Sequence, residues 1–192
     1  RPAPPVGKHH KPGVQQPQTA PEHIADVLVL VEVMGNRVLS VQVLGVKLKK
    51  IQYKDLNSKQ KEIYNFQKVA AILADYGFNC IKLADDWQGA DFLAYHKDGG
   101  QTLKVQLKGR LYVAKQYIGK DIFMTFPIQG DWYLVGHDEL LEIIGGCTPW
   151  LETSSWIEGG AYGSSKPSKV LIQAVRPYRL TQEDRPSYPT AE

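Results

Sequence analysis

The 192-residue sequence predicts an α/β protein, a mixed β-sheet flanked by helices. Three observations point there. A capped run of helical period covers residues 57–76, and strand-like runs follow at 78–83, 90–96 and 101–108. Two further strand-like runs, near 122–126 and 132–135, then lead into a short helical segment. With 43% hydrophobic residues the chain is long enough for one domain with a substantial core.

Residues 1–22 are rich in Pro, Gln and His without apolar periodicity, the composition of a disordered extension. The pair His9-His10 on such a tail binds metals only weakly and unspecifically. Residues 24–33 and 37–49, rich in Val and Leu around Gly35-Asn36, read as a β-hairpin. Val27 to Val31 is continuously apolar, so segment 23–52 either packs on the main domain or stands ahead of it. The main domain is expected over 53–180, with a flexible tail at 181–192.

The helix starts at an Asn57-Ser58 cap and ends at Gly77. Ile63, Phe66, Val69, Ala70 and Leu73 fall on one stripe, with Glu62 at its edge. An acid there is either a rim residue favoured by the helix dipole or part of a site. Phe78 to Leu83 is the first strand of the sheet. Ala84 to Gly89 reads as a loop, in which Asp85-Asp86 is a turn element or a spare pair of carboxylates. Ala90 to His96 and Gln101 to Lys108 form a hairpin across Lys97-Asp98-Gly99-Gly100.

After a basic connection and two more strands, a helix from Asp138 to Ile144 is ended by Gly145-Gly146. Residues 147–166 form a loop whose Trp150, Trp156 and Tyr162 either anchor it to the core or stack on bases. A last helix, Ser168 to Val175, lies between Pro167 and Pro177.

The formal charge is +3, of which residues 1–22 contribute +2, so general basicity does not argue for a nucleic-acid partner. A local patch does. Residues 97–120 carry Lys97, Lys104, Lys108, Arg110, Lys115 and Lys120 against one acid, Asp98. The two cysteines, Cys80 and Cys147, have no partner at metal-ligand spacing, which excludes a zinc knuckle and a disulfide framework. With no signal-peptide layout and no stretch near the roughly 20 apolar residues of a membrane helix, a cytoplasmic, non-membrane setting is expected.

Strand alternation puts Leu103, Val105 and Leu107 on one face and Lys104, Gln106 and Lys108 on the other. Hairpin pairing brings Asp91 beside Gln106 and Lys108, and Glu62 could join them at one end of the sheet. Metal-assisted hydrolysis of a phosphodiester needs such a set. Oxygen donors bind Mg²⁺ while leaving water positions open, and a lysine orients the water or clamps the phosphate. Singly, each residue has an ordinary explanation: Asp91 as a strand-start residue, Gln106 and Lys108 as the solvated face of an edge strand.

Glu62 in the leading helix, Gly89-Ala90-Asp91 at a strand start and Gln106-Leu107-Lys108-Gly109-Arg110 after the hairpin resemble the PD-(D/E)xK nuclease superfamily, over roughly residues 57–144. The resemblance implies a restriction-endonuclease-like core and a Mg²⁺-dependent (or Mn²⁺-dependent) endonuclease that hydrolyses DNA. It implies that Asp91, Gln106 and the Leu107 carbonyl bind the ion, that Glu62 completes the metal site, and that Lys108 is the catalytic lysine. Ala90 replaces the motif proline, and Gln106 replaces the second motif acid. A neutral ligand there lowers metal affinity and raises reliance on Glu62.

Arg110, Lys115 and Lys120 follow the triplet, where backbone phosphates would lie. Gln106 also keeps alive a catalytically inactive nucleic-acid-binding module of the same fold. A third reading is a structural or partner-binding protein. A homodimer is compatible with the sequence but not shown by it.

Overall fold

A computed structural model describes residues 30–34, 37–43 and 46–180. The N-terminal extension with its His9-His10 pair, the Gly35-Asn36 turn and the tail at 181–192 lie outside the described residues. The chain divides into two compact units, one ending at Gln52 and one starting at Tyr53.

In the first unit β1 (Leu30–Met34), β2 (Arg37–Val43) and β3 (Val46–Lys49) form an antiparallel meander. The expected second strand over 37–49 is therefore two strands. The first of them ends at Val43 and the second starts at Val46.

In the second unit α1 (Ser58–Asp75) is opened by a reciprocal capping box. The Gln60 N–H donates to Asn57 Oδ1 at 2.9 Å, and the Asn57 N–H donates to Gln60 Oε1 at 3.0 Å. Its buried face is Asn65, Val69, Ile72 and Leu73, which includes Val69 and Leu73 of the expected stripe. Ile63 is 42% exposed, and Phe66 is half-buried with its ring edge-on to Phe92. The buried Asn65 amide has a partner, since its Nδ2 donates to the Tyr53 hydroxyl at 2.9 Å.

β4 (Phe78–Trp87), β5 (Ala90–His96), β6 (Thr102–Leu107), β8 (Ile122–Ile128), β9 (Asp131–Gly136) and β11 (Arg179–Leu180) build a six-stranded sheet in the order β11-β9-β8-β6-β5-β4. Only the β6–β8 pair is parallel. One face, with Phe92, Leu103, Val105 and Leu107, packs on α1. The other, with Ile122, Met124 and Phe126, packs on α2 (His137–Cys147) and α4 (Lys169–Val175). The protein is thus a mixed α/β fold with helices on both faces of its sheet.

β6 is an interior strand, so the edge-strand explanation of Gln106 and Lys108 fails.

Three local features depart from expectation. α2 continues through Gly145-Gly146 to Cys147, since Gly145 lets Leu151 pack closely against the helix. The connection after β6 holds β7 (Leu111–Ala114), which pairs with β10 (Ala161–Ser164) in a small second sheet. The expected loop 147–166 contains α3 (Ser154–Ile157) and β10, and it buries Trp150 and Trp156. Trp150 stacks against Tyr162 at 4.5 Å, so these indoles anchor the segment and are not available to bases.

Candidate active site

Two turns place the site residues. Gln88 and Gly89, with φ of 55° and 92°, reverse the chain between β4 and β5 and set Asp91 at the start of β5. Gly89 also packs too tightly for a side chain: a methyl group there would stand 2.8 Å from Ile122 Cδ1 and 3.0 Å from the Tyr117 ring. The β5–β6 register, Phe92 opposite Val105 and Leu93 opposite Lys104, continues to Asp91 opposite Gln106.

Asp91 is half-buried, and its Oδ2 accepts two hydrogen bonds. One comes from Gln106 Nε2 at 2.5 Å, the other from the Leu107 N–H at 2.8 Å. Burial pushes its pKa above the usual carboxylate value. The Leu107 N–H and the charges of Lys108 and Lys82 act the other way, and Asp86 reinforces the burial effect. Gln106 is only 3% exposed. Because its amide nitrogen is fixed by the carboxylate, the orientation of the amide is fixed too. Its carbonyl oxygen Oε1 is left buried without a hydrogen-bond partner.

Lys108, half-buried, is anchored by its N–H to the Thr125 carbonyl at 2.9 Å. Its Nζ lies 5.2 Å from the Tyr112 ring centre and 5.9 Å from that of Tyr117. Tyr117 is buried, and burial raises its own pKa.

Glu62 is not hydrogen-bonded to this group. Lys82 holds it at 2.6 Å and Lys59 at 3.1 Å, and these two bonds lower its pKa. It nevertheless shares a cavity of about 390 Å³ with Asp91, together with Lys59, Lys82, Leu83, Ala84, Asp85 and Asp86. Asp85 and Asp86 reach this cavity because they lie in a bulge of β4, not in a turn. The β4–β5 pairing jumps from Lys82–Phe92 to Trp87–Ala90. Two adjacent acids are the one signal of this bulge in the sequence.

The basic residues separate. Arg110 is exposed next to Lys108. Lys115 Nζ donates to the Ile157 carbonyl at 2.7 Å and lies 5.7 Å from the Trp156 ring, so it ties the chain just after β7 to α3. Lys120 sits just before β8, at the far end of β6, where its carbonyl accepts from Lys104 Nζ.

For a hard cation such as Mg²⁺ the donor set fits in part. Asp91 supplies a carboxylate, and Gln106 Oε1 is a buried oxygen lacking any partner beside it. Leu107 takes part through its N–H to Asp91, while Glu62 is engaged by two lysines. Among the described residues no group of three His, Cys, Asp or Glu side chains could hold a metal. Mg²⁺ keeps several waters and needs only one or two carboxylates, so this does not exclude it. Among the described residues no helix is long and apolar enough to cross a membrane.

No protein-family model matches the chain, and no curated protein matches it. Among solved structures a bacterial homing endonuclease is similar at 16% identity, with 64% of this chain and 86% of that one covered and a TM-score of 0.36.

Proposed function

We propose that this protein is a Mg²⁺-dependent endonuclease of PD-(D/E)xK type that hydrolyses phosphodiester bonds of DNA. The observation that carries the reading is the buried Asp91–Gln106 pair with its unpartnered Oε1, next to Lys108. Asp91 and Gln106 Oε1 would hold the ion. When bound, the ion would acidify a coordinated water and offset charge on the phosphate.

Lys108 has a separate task. Its Nζ, beside the Tyr112 and Tyr117 rings, binds a non-bridging phosphate oxygen, where negative charge grows as the P–O bond to the leaving sugar breaks. The cavity under Glu62, Asp85 and Asp86 adds negative potential on the Asp91 side, which attracts cations.

A second reading is supported by a specific observation. Gln106 is neutral and donates to Asp91, and Glu62 is neutralised by lysines, as suits a module that binds nucleic acid without cutting it. The deciding experiment incubates purified protein with single-stranded, double-stranded and branched DNA in Mg²⁺, Mn²⁺ or EDTA. Metal-dependent cleavage that disappears in Asp91→Ala and Lys108→Ala, with both variants folded, supports the nuclease. Equal inactivity of all three, with salt-dependent binding, supports the binding module.

A further inference from the structure

A second cavity, of about 550 Å³, is lined by Lys108, Gly109, Arg110, Tyr112 and Ser165. It shares no lining residue with the acidic cavity that Asp91 lines. Its walls come from distant stretches of chain, brought together by the β7–β10 pairing. Leu111 lies opposite Ser164 and Tyr112 opposite Gly163, and one further step along that register sets Arg110 opposite Ser165.

The chemistry of the cavity is one-sided. No lining residue is acidic, and among the described residues neither Lys108 nor Arg110 has a carboxylate partner. Lys108 Nζ is held over the Tyr112 ring, which directs the ammonium without neutralising it. Arg110 passes beside a strand position that has no side chain. A methyl group at Gly163 would stand 2.9 Å from Tyr112 Cδ2 and 3.3 Å from Arg110 Nε. Gly109 is exposed between the two cations, so an anion can approach the main chain there. Two cations, a hydroxyl and bare backbone around one hollow suit a tetrahedral oxyanion.

We propose that this cavity is a phosphate subsite for a nucleic-acid strand, holding by Arg110 and Ser165 the phosphodiester next to the one bound at Lys108. Naming the ligand as nucleic acid rests on the nuclease reading; the anion preference rests on the cavity alone. Lys108 lines this cavity and, in the nuclease reading, clamps the reacting phosphate, so the strand would pass from that phosphate into the basic cavity.

The test is a titration of ¹⁵N-labelled protein in EDTA, where nothing is cut, with three probes: a dT8 oligonucleotide, dT8 with neutral methylphosphonate linkages, and inorganic phosphate. Salt dependence of dT8 affinity is measured for wild type, Arg110→Gln, Arg110→Lys and Ser165→Ala. The subsite predicts that dT8 shifts the Gly109 and Ser165 amides and that the neutral analogue does not. Arg110→Gln should weaken dT8 binding about tenfold or more and reduce the salt slope by about one, while Arg110→Lys keeps the slope. Arg110→Gln with wild-type affinity and slope, or dT8 shifts elsewhere, overturns it. So does inorganic phosphate binding there as tightly as dT8, which would make the cavity a site for free phosphate. Cleavage in Mg²⁺ is scored separately: an active enzyme whose KM is untouched by Arg110→Gln removes the subsite and leaves the nuclease.

Discussion

The Asp91 carboxylate accepts the Gln106 side-chain amide at 2.5 Å, across two interior strands of the sheet. One oxygen of Asp91 takes both this amide and the Leu107 N–H, so the carboxylate is fixed from the β6 side. The same bond turns the Gln106 carbonyl into a buried site that has nothing to bind. An unpaired buried acceptor costs about 1–3 kcal/mol, so this arrangement lowers the stability of the fold.

Asp91→Asn should stabilise the fold while removing cleavage. Burial raises the Asp91 pKa, so the ionised form is held less well in the folded than in the unfolded chain. Its unfavourable contribution is absent below the ordinary carboxylate range and sets in as pH rises through the folded-state pKa. An asparagine oxygen at the Oδ2 position still accepts from both Gln106 and Leu107. Urea unfolding at pH 7 should therefore show a gain of about 0.5–2 kcal/mol, shrinking as the pH is lowered. A loss of stability at neutral pH would show that the carboxylate charge is needed for folding.

Gln106→Glu should reverse that balance. It replaces the donor facing Asp91 with a second carboxylate, and the two acids then share a proton at neutral pH. The metal-free variant should lose about 1–3 kcal/mol, the cost of carboxyl oxygens buried without a partner. Added Mg²⁺ or Mn²⁺ should recover more Tm in the variant than in wild type, because binding to the folded state alone raises stability. Equal metal responses in both proteins would place the ion away from position 106.

His137 gives a pH dependence of known sign. It is 1% exposed, and its Nε2 accepts the Ala114 N–H at 3.3 Å, so Nδ1 carries the proton directed at Asp138 Oδ1, 3.0 Å away. Burial lowers its pKa in spite of Asp138. The unfolded chain then takes up the proton more readily, and stability falls as pH drops below about 6.5, by at most about 1.4 kcal/mol per pH unit. His137→Gln should flatten this slope in urea midpoints measured from pH 7 to 5. The ring lies edge-on to Tyr117, so any cleavage should decline over the same range.

The β5–β6 hairpin was legible because alternation and the Asp98-Gly99-Gly100 turn act locally, and they fix which residue faces Asp91. The burial of Gln106 was not legible, since it depends on β8 pairing with β6 on the side away from β5 and making it an interior strand. The β7–β10 sheet was missed for a related reason. Leu111 and Ser164 are four-residue-strand neighbours whose pairing comes from tertiary packing, not from a strong local pattern. The acids of the β4 bulge were hidden likewise, because a bulge is a property of two strands and not of one.

Lys82 decides whether Glu62 can serve a metal. The two are 2.6 Å apart at a half-exposed site, and such a pair contributes about 0–1 kcal/mol to stability. Its larger effect is electrostatic, since Lys82 holds Glu62 and also lowers the Asp91 pKa. Lys82→Met keeps the aliphatic stem over the Phe66 ring while removing the charge. Mg²⁺ affinity, measured by calorimetry, should rise in Lys82→Met and fall in Glu62→Gln, with Tm in the absence of metal nearly unchanged in both. If Lys82→Met tightens the ion while Glu62→Gln leaves it unaffected, the lysine acts on Asp91 alone, and Glu62 is a partner for lysines on the rim of α1.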